Sequence, residues 1–228
     1  MAVVHWIGAG LSAVPGIRRL AASGRSLVLW NRTLDKATRA LQGLNATAAA
    51  RELDWGELER TVQPRDVIVS MLPATMHMRV ADLCLNRHAH FVSSSYLSAE
   101  MRALASQVAA ADLCFVNEVG LDPGIDHLFA HVLVGHYKSS MAFDPQNEHF
   151  FRSYCGGFPK VANKFRYKFS WSPLGVLRAL KSPAQWLERG EVATTEKPWT
   201  RVRDYQVRLP EGSELFQAYP NRNSLPFM

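Results

Sequence analysis

Three observations predict an α/β chain in which a parallel sheet wound with helices is followed by part of a smaller α+β region. Short apolar runs alternate with helix-like stretches through the first half, a glycine turn joins the first run to the first helix, and the alternation stops after about Leu121. Strands of a parallel sheet are covered on both faces, so they read as continuous apolar runs rather than as alternating patterns. Residues 2–7 form the first such run and end at Gly8; a helix is expected from Leu11 to Ser23, with Pro15 tolerated in its first turn, where a missing N–H has no partner. Ser26–Trp30 is the second strand and Leu34–Leu44 the next helix. Asp66–Leu72 then precedes a helix over Met76–Asn86, His90–Ser93 precedes one over Ala99–Ala111, and Leu113–Asn117 closes the series. Aromatics, Pro and Gly become frequent beyond that, which places a domain boundary near 121–126 and divides the chain into 1–122 and 123–228. The second part is expected to hold a helix over Gly124–His136, an aromatic segment Phe165–Trp171, a helix near Val176–Leu187 and short strands such as Tyr205–Leu209.

Composition narrows the classes of function. With 228 residues, 47% of them hydrophobic, the chain can bury one good core or two modest ones. No window approaches the roughly 18 to 20 apolar residues of a membrane span, so a soluble protein with no membrane partner is expected. The start Met1-Ala2-Val3-Val4-His5-Trp6-Ile7-Gly8 carries no basic stretch ahead of its apolar run and reads as a buried strand rather than a secretion signal. Cys84, Cys114 and Cys155 are odd in number and far apart, which suits a reducing cytoplasm and neither a disulfide framework nor a metal site. His77 and His131 have no acidic or metal-ligating partner at suggestive spacing, and no metal is expected. The net charge of +6 comes from scattered basic residues. No nucleic-acid partner is expected, and a phosphorylated ligand explains the bias equally well.

Gly8-Ala9-Gly10-Leu11-Ser12-Ala13 follows a strand and opens a helix, the context in which such a turn binds a dinucleotide. Gly8 permits the tight turn, Gly10 lets backbone N–H groups approach a pyrophosphate, and the small Ala13 allows close helix packing. The phosphates then meet the positive end of the helix dipole. An acidic residue at the end of the second strand would bind a ribose 2′-hydroxyl, but here Trp30 is followed by Asn31-Arg32-Thr33. A neutral residue followed by Arg32 favours a 2′-phosphate and hence NADP(H), the alternative being that Arg32 is a solvated surface charge. Leu72-Pro73-Ala74-Thr75 sits where a parallel strand ends, and this uncharged loop is expected to border the cofactor.

Further along stand SSSYLSAEM from Ser93, NEVGLDPGIDH from Asn117, SYCGGFPK from Ser153, YKFSWSP from Tyr167 and YPNRNS from Tyr219. With the glycine turn they resemble the saccharopine reductase family, the glutamate-forming saccharopine dehydrogenases, through nearly the whole chain. The resemblance implies a Rossmann-type NADP(H) domain, part of a substrate and dimerisation domain, and the reductive condensation of L-glutamate with 2-aminoadipate 6-semialdehyde to saccharopine, or its reverse. An imine forms and hydride reduces it while the protein orients the reactants and manages protons.

The resemblance also distributes roles. Gly8, Gly10, Leu11, Ser12, Arg32, Thr33, Leu72, Pro73, Ser95, Leu121, Asp122 and Gly124 would hold the cofactor, and Tyr96, Asp122 and Cys155 would stand at the reacting atoms. Saccharopine carries three carboxylates, so Arg166, Lys168 and Arg222, with Asn221, Ser95, Tyr96 and Asp122, are its candidate binders. A phenol and a carboxylate suit proton transfer or the steering of a protonated amine. Taken singly, each residue has an ordinary reading: Tyr96 as a core tyrosine, Asp122 as a turn residue before Pro123, Cys155 as a small buried apolar group, each cation as a surface charge. Asp126 and His127 either satisfy each other or cap the Gly124 helix, the alternative for His127 being a general base. The family pattern reads PNRDS where this chain has Asn223, which removes one carboxylate.

Members of that family are longer, so a fragment or an incomplete chain is expected, with a homodimer through the substrate domain at full length. Two other functions fit the residues: a carboxyspermidine-type dehydrogenase acting on a polyamine, which calls for an acidic pocket, and a catalytically silent NADP(H)-binding protein.

Overall fold

The structure is a computed structural model, and it describes residues 2–44, 47–161, 163–169, 172–209 and 212–227. Trp171 of the expected aromatic segment lies outside the described residues. The chain divides into two compact units, Met1–Ile125 and Asp126–Met228.

The first unit alternates strand and helix: β1 Val4–Ile7, α1 Val14–Ala22, β2 Leu27–Asn31, α2 Leu34–Leu41, β3 Ala48–Glu52, α3 Trp55–Thr61, β4 Val67–Ser70, α4 His77–Arg87, β5 His90–Ser93, α5 Ala99–Ala103, α6 Ala105–Ala110 and β6 Phe115–Val116. The strands form one parallel sheet in the order β3-β2-β1-β4-β5-β6. Strand order reverses between β1 and β4, and in open sheets of this kind ligands bind outside the carboxyl ends at that reversal.

Each face of the sheet carries its own core. Ile17, Ala21, Ala37 and Ala40 of α1 and α2 pack with Leu27 and Leu29 on one side. Leu58, Val62, Val80, Ala81 and Cys84 pack with Ile7, Trp30, Ile68 and Phe91 on the other. Successive side chains of β2 thus serve opposite cores, which is why its sequence is apolar from Leu27 to Trp30. At the amino end of the sheet His5 is fully buried; its Nδ1 accepts the Trp30 indole N–H at 3.1 Å, so its Nε2 carries the proton and donates to Asp66 at 3.2 Å.

Two elements here have no counterpart in the sequence-based expectation. β3 is alanine-rich, of low strand propensity, and occupies the sheet edge, where pairing with β2 rather than local preference holds it extended. α3 is announced by Asp54-Trp55-Gly56-Glu57, since the Asp54 carboxylate accepts the Glu57 N–H at 2.7 Å as a helix cap. The expected helix over Ala99–Ala111 is two helices meeting at Leu104.

The second unit contains most of α7 Ile125–Lys138, then α8 Pro173–Ala179 and two antiparallel hairpins, β7 Ala184–Glu188 with β8 Glu191–Thr195 and β9 Arg203–Leu209 with β10 Gly212–Ala218. The helix expected over Val176–Leu187 is therefore corrected: it ends at Ala179, and Ala184–Leu187 lie in β7. Pro183 cannot continue a helix, and Arg189-Gly190, both at positive φ, supply a two-residue hairpin turn that recruits the apolar residues into a strand. Among its described apolar residues few are buried, and Leu128, Phe129, Val132 and Leu133 of α7 are all more than half exposed.

Candidate functional site

The glycine turn has the geometry of a phosphate cradle. Gly8 lies at φ +101°, and a Cβ there would meet the Met71 carbonyl oxygen at 2.9 Å, so this glycine is required by the fold. Gly10 has no such role: a Cβ on it would meet nothing within 4 Å. The space beside Gly10 is therefore open. The Ala9 N–H donates to Asn31 Oδ1 at 3.1 Å and the Ala13 N–H to the Gly10 carbonyl at 3.1 Å, so Gly10, Leu11 and Ser12 lie between two fixed points. They precede a nine-residue helix with no acidic residue in its first turn, and its dipole favours an anion there.

Asn31 has a part that the sequence pattern alone does not reveal. It is buried, and while its Oδ1 holds Ala9, its Nδ2 donates to the Thr33 carbonyl at 3.0 Å and approaches Thr33 Oγ1 at 3.3 Å. One amide thus ties the glycine turn to the loop that carries Arg32, and Arg32 and Thr33 stay exposed. A carboxylate at position 31 could accept from Ala9 but could not donate to Thr33.

The carboxyl ends of β4, β5 and β6 supply the other half of the site. Leu72 is half-buried and Pro73 is exposed in the loop after β4, with the Met76 N–H donating to the Pro73 carbonyl at 2.9 Å. Ser95 and Tyr96 follow β5, while Leu121, Asp122 and Gly124 follow β6 in a turn closed by the Gly120 N–H to the Pro123 carbonyl at 3.0 Å. Gly124 is at φ +143°, and a Cβ there would collide with the Glu118 and Gly120 carbonyl oxygens. The two loops are joined by the Leu97 N–H to Glu118 Oε1 at 3.0 Å and the Glu118 N–H to the Ser95 carbonyl at 3.1 Å. This stitching brings together two residues 26 positions apart: the Tyr96 hydroxyl donates to Asp122 Oδ1 at 2.5 Å. A phenol locked to a carboxylate can hold a cationic nitrogen or pass a proton to it.

His77 enters this half unannounced by sequence spacing. It opens α4 on the same buried stripe as Val80, Ala81 and Cys84, the signal that was present in the sequence. Its Nδ1 lies 2.9 Å from Ser70 Oγ and its Nε2 lies 2.8 Å from Ser95 Oγ, and burial lowers its pKa.

The remaining predicted residues belong to the second unit. Cys155 is exposed, and burial raises the pKa of the Tyr167 and Tyr219 phenols. Tyr154 stacks on Tyr205 with ring centroids 3.7 Å apart. Lys168 is exposed, and its N–H donates to the Gly157 carbonyl at 3.2 Å, which pairs the two aromatic segments. Arg166 faces Glu214 at 3.7 Å. Asn221 is exposed, the Arg222 carbonyl accepts from the Gln185 N–H at 2.8 Å, and Asn223 Oδ1 accepts from the Leu225 N–H at 3.0 Å. Asp126 and His127 satisfy each other at 3.0 Å. No group of three or more metal-ligating side chains occurs among the described residues.

Sheet order, glycine turn and the converging loops define a dinucleotide-binding protein of the doubly wound α/β class. Residues 4–116 match the family model of the saccharopine dehydrogenase NADP binding domain, and residues 120–228 match that of the saccharopine dehydrogenase C-terminal domain. The chain belongs to the saccharopine dehydrogenase family. It is 33% identical to a saccharopine dehydrogenase [NADP(+), L-glutamate-forming] of Pyricularia oryzae over 98% of this chain and 50% of that one. The corresponding protein of Saccharomyces cerevisiae is also 33% identical, over 97% of this chain and 50% of its own length. A solved apo saccharopine dehydrogenase (L-Glu forming) from Saccharomyces cerevisiae superposes with a TM-score of 0.71 at 27% identity, covering all of this chain and 51% of that one. The chain thus spans about half the length of the relatives it matches.

Proposed function

We propose that this chain binds NADP(H) and supplies the nucleotide site and part of the substrate site of an enzyme that interconverts saccharopine with L-glutamate and 2-aminoadipate 6-semialdehyde. Gly10, Leu11 and Ser12 would receive the pyrophosphate, and Arg32 the 2′-phosphate, with Leu72, Pro73, Ser95, Leu121 and Gly124 along the nicotinamide half. When bound, the cofactor supplies or accepts the hydride. The chain's own residues do the rest. In the forming direction the glutamate amine adds to the aldehyde, water leaves, and the resulting C=N carbon takes hydride while its nitrogen ends as a secondary amine. Asp122 offers a carboxylate to the cationic nitrogen, and Tyr96, donating to Asp122, orients it and is placed to exchange a proton with that nitrogen. Arg166, Lys168 and Arg222 are the cations proposed for the three substrate carboxylates, and Cys155 needs no covalent part, because imine reduction forms no bond to sulfur.

The single observation that carries this reading is the Tyr96–Asp122 hydrogen bond at the carboxyl edge of the sheet. Three cysteines that form no disulfide support a cytoplasmic setting, and the exposed apolar residues of α7 support a homodimer through the second unit. The test is NADPH oxidation on mixing the chain with glutamate and the semialdehyde, and NADP+ reduction with saccharopine. Turnover with both supports the reading; turnover only with a polyamine as the amine would replace it with the carboxyspermidine-type alternative.

A further inference from the structure

His77 stands between two serine hydroxyls at the carboxyl ends of adjacent strands, with Ser70 closing β4 and Ser95 two residues beyond the end of β5. Ser70 is fully buried and His77 is 6% exposed, so neither group exchanges its partner with bulk water. Desolvation is what lowers the His77 pKa, and the ring is neutral at physiological pH. A neutral imidazole has one donor and one acceptor nitrogen, and both are engaged here. Whichever tautomer is present, the ring therefore fixes the Ser95 hydroxyl: if Nε2 accepts, Ser95 turns its lone pairs outward, and if Nε2 donates, Ser95 is free to donate outward. The backbone of Ser95 is held separately, by its N–H to Ser93 Oγ at 3.4 Å and its carbonyl to the Glu118 N–H at 3.1 Å. His77 thus acts on the side chain and not on this backbone.

In a doubly wound sheet a dinucleotide straddles the reversal of strand order, so one nucleoside lies on the β2 side and the other along β4 and β5. With the 2′-phosphate assigned to Arg32 after β2, the nicotinamide half falls at Ser95. We propose that His77 is a positioning residue that holds the Ser95 hydroxyl in one orientation for contact with the nicotinamide end of the cofactor. This rests on the reading of the first unit as an NADP(H) site.

The experiment compares His77→Gln, His77→Asn and Ser95→Ala with the unsubstituted chain. A glutamine amide reaches the Nε2 position and can still hold Ser95, whereas an asparagine amide reaches only the Nδ1 position and holds Ser70. NADPH is titrated by its own fluorescence, which reports both affinity and the environment of the nicotinamide ring, and adenosine 2′,5′-bisphosphate is titrated as a ligand without that ring. Loss of one hydrogen bond should weaken NADPH binding by about 2- to 12-fold in His77→Asn and Ser95→Ala, with loss of the enhanced emission. His77→Gln should stay within about twofold of the original chain, and adenosine 2′,5′-bisphosphate should bind all variants alike. Equal defects in His77→Gln and His77→Asn, unchanged NADPH binding in His77→Asn, or parallel loss of the bisphosphate would overturn the proposal, because each is what a merely structural histidine produces. Failure of the unsubstituted chain to bind either ligand would overturn the functional reading itself, a result distinct from any pattern among the variants.

Discussion

Substitution at the two glycines of the turn separates a residue kept for the fold from one kept for a ligand. Gly8 is at φ +101° and its Cβ would lie 2.9 Å from the Met71 carbonyl oxygen, so Gly8→Ala must both strain its backbone and push a neighbouring strand end. A non-glycine residue held in a sparsely populated region costs on the order of 1 to 3 kcal/mol, before the clash is added. Gly10 is not at positive φ, and a side chain there enters open space. Gly10→Val should therefore change stability by less than about 1 kcal/mol. Its effect falls on the ligand instead, because the branched side chain fills the volume assigned to the pyrophosphate and removes at least one charge-assisted hydrogen bond. At about 1.5 to 3 kcal/mol per such bond, NADPH affinity should drop by roughly 10- to 150-fold. The assay pairs urea unfolding with NADPH fluorescence titration on both variants. Gly10→Val with original affinity, or with a stability loss as large as that of Gly8→Ala, would refute the assignment of the open space to phosphate.

Four other outcomes are expected. Arg32→Ala should weaken NADP(H) by about 10- to 150-fold and leave NAD(H) unchanged, since only the charge-assisted 2′-phosphate contact is lost; comparative titration checks this. Asn31→Asp keeps an acceptor for Ala9, loses the donor to Thr33 and sets a carboxylate beside the ribose, so the ratio of NADP(H) to NAD(H) affinity should fall by at least about tenfold in the same titration. Asp122→Ala and Tyr96→Phe should each lower kcat by at least about tenfold with little change in NADPH affinity, whereas Cys155→Ser should retain substantial activity, measured in the assembled enzyme. Acid should destabilise the first unit through His5 and His77, whose pKa values are lowered chiefly by burial. Below about pH 6.5 the unfolded chain takes up protons that the folded one does not, so stability falls with falling pH by up to about 1.4 kcal/mol per unit for each histidine until the folded pKa is reached. Urea midpoints between pH 8 and 5 that stay flat, or that decline equally in His5→Gln, would contradict this.

What the sequence determined alone is what local chemistry dictates. Gly8 serves a backbone path that other residues rarely allow, and the short, mostly apolar runs of β1, β2, β4 and β5 record burial on both faces of a parallel sheet. Arg32 and the motif that contains Asp122 are legible for the same reason, because their positions follow from strand ends. Tertiary structure decided the rest. β3 has an alanine-rich sequence and is extended only because the β2 edge pairs with it, and Ala184–Leu187 follow helical spacing locally but are captured by Val192–Thr195 across the Arg189-Gly190 turn. His77 illustrates the limit most clearly: its partners lie 7 and 18 residues away on two different strand ends, and only packing of α4 on the sheet brings the ring between them. The bond between Tyr96 and Asp122 is set in the same way, since their separation is governed by the register of β5 against β6 and by the Glu118 contacts, which are long-range terms that no local pattern encodes.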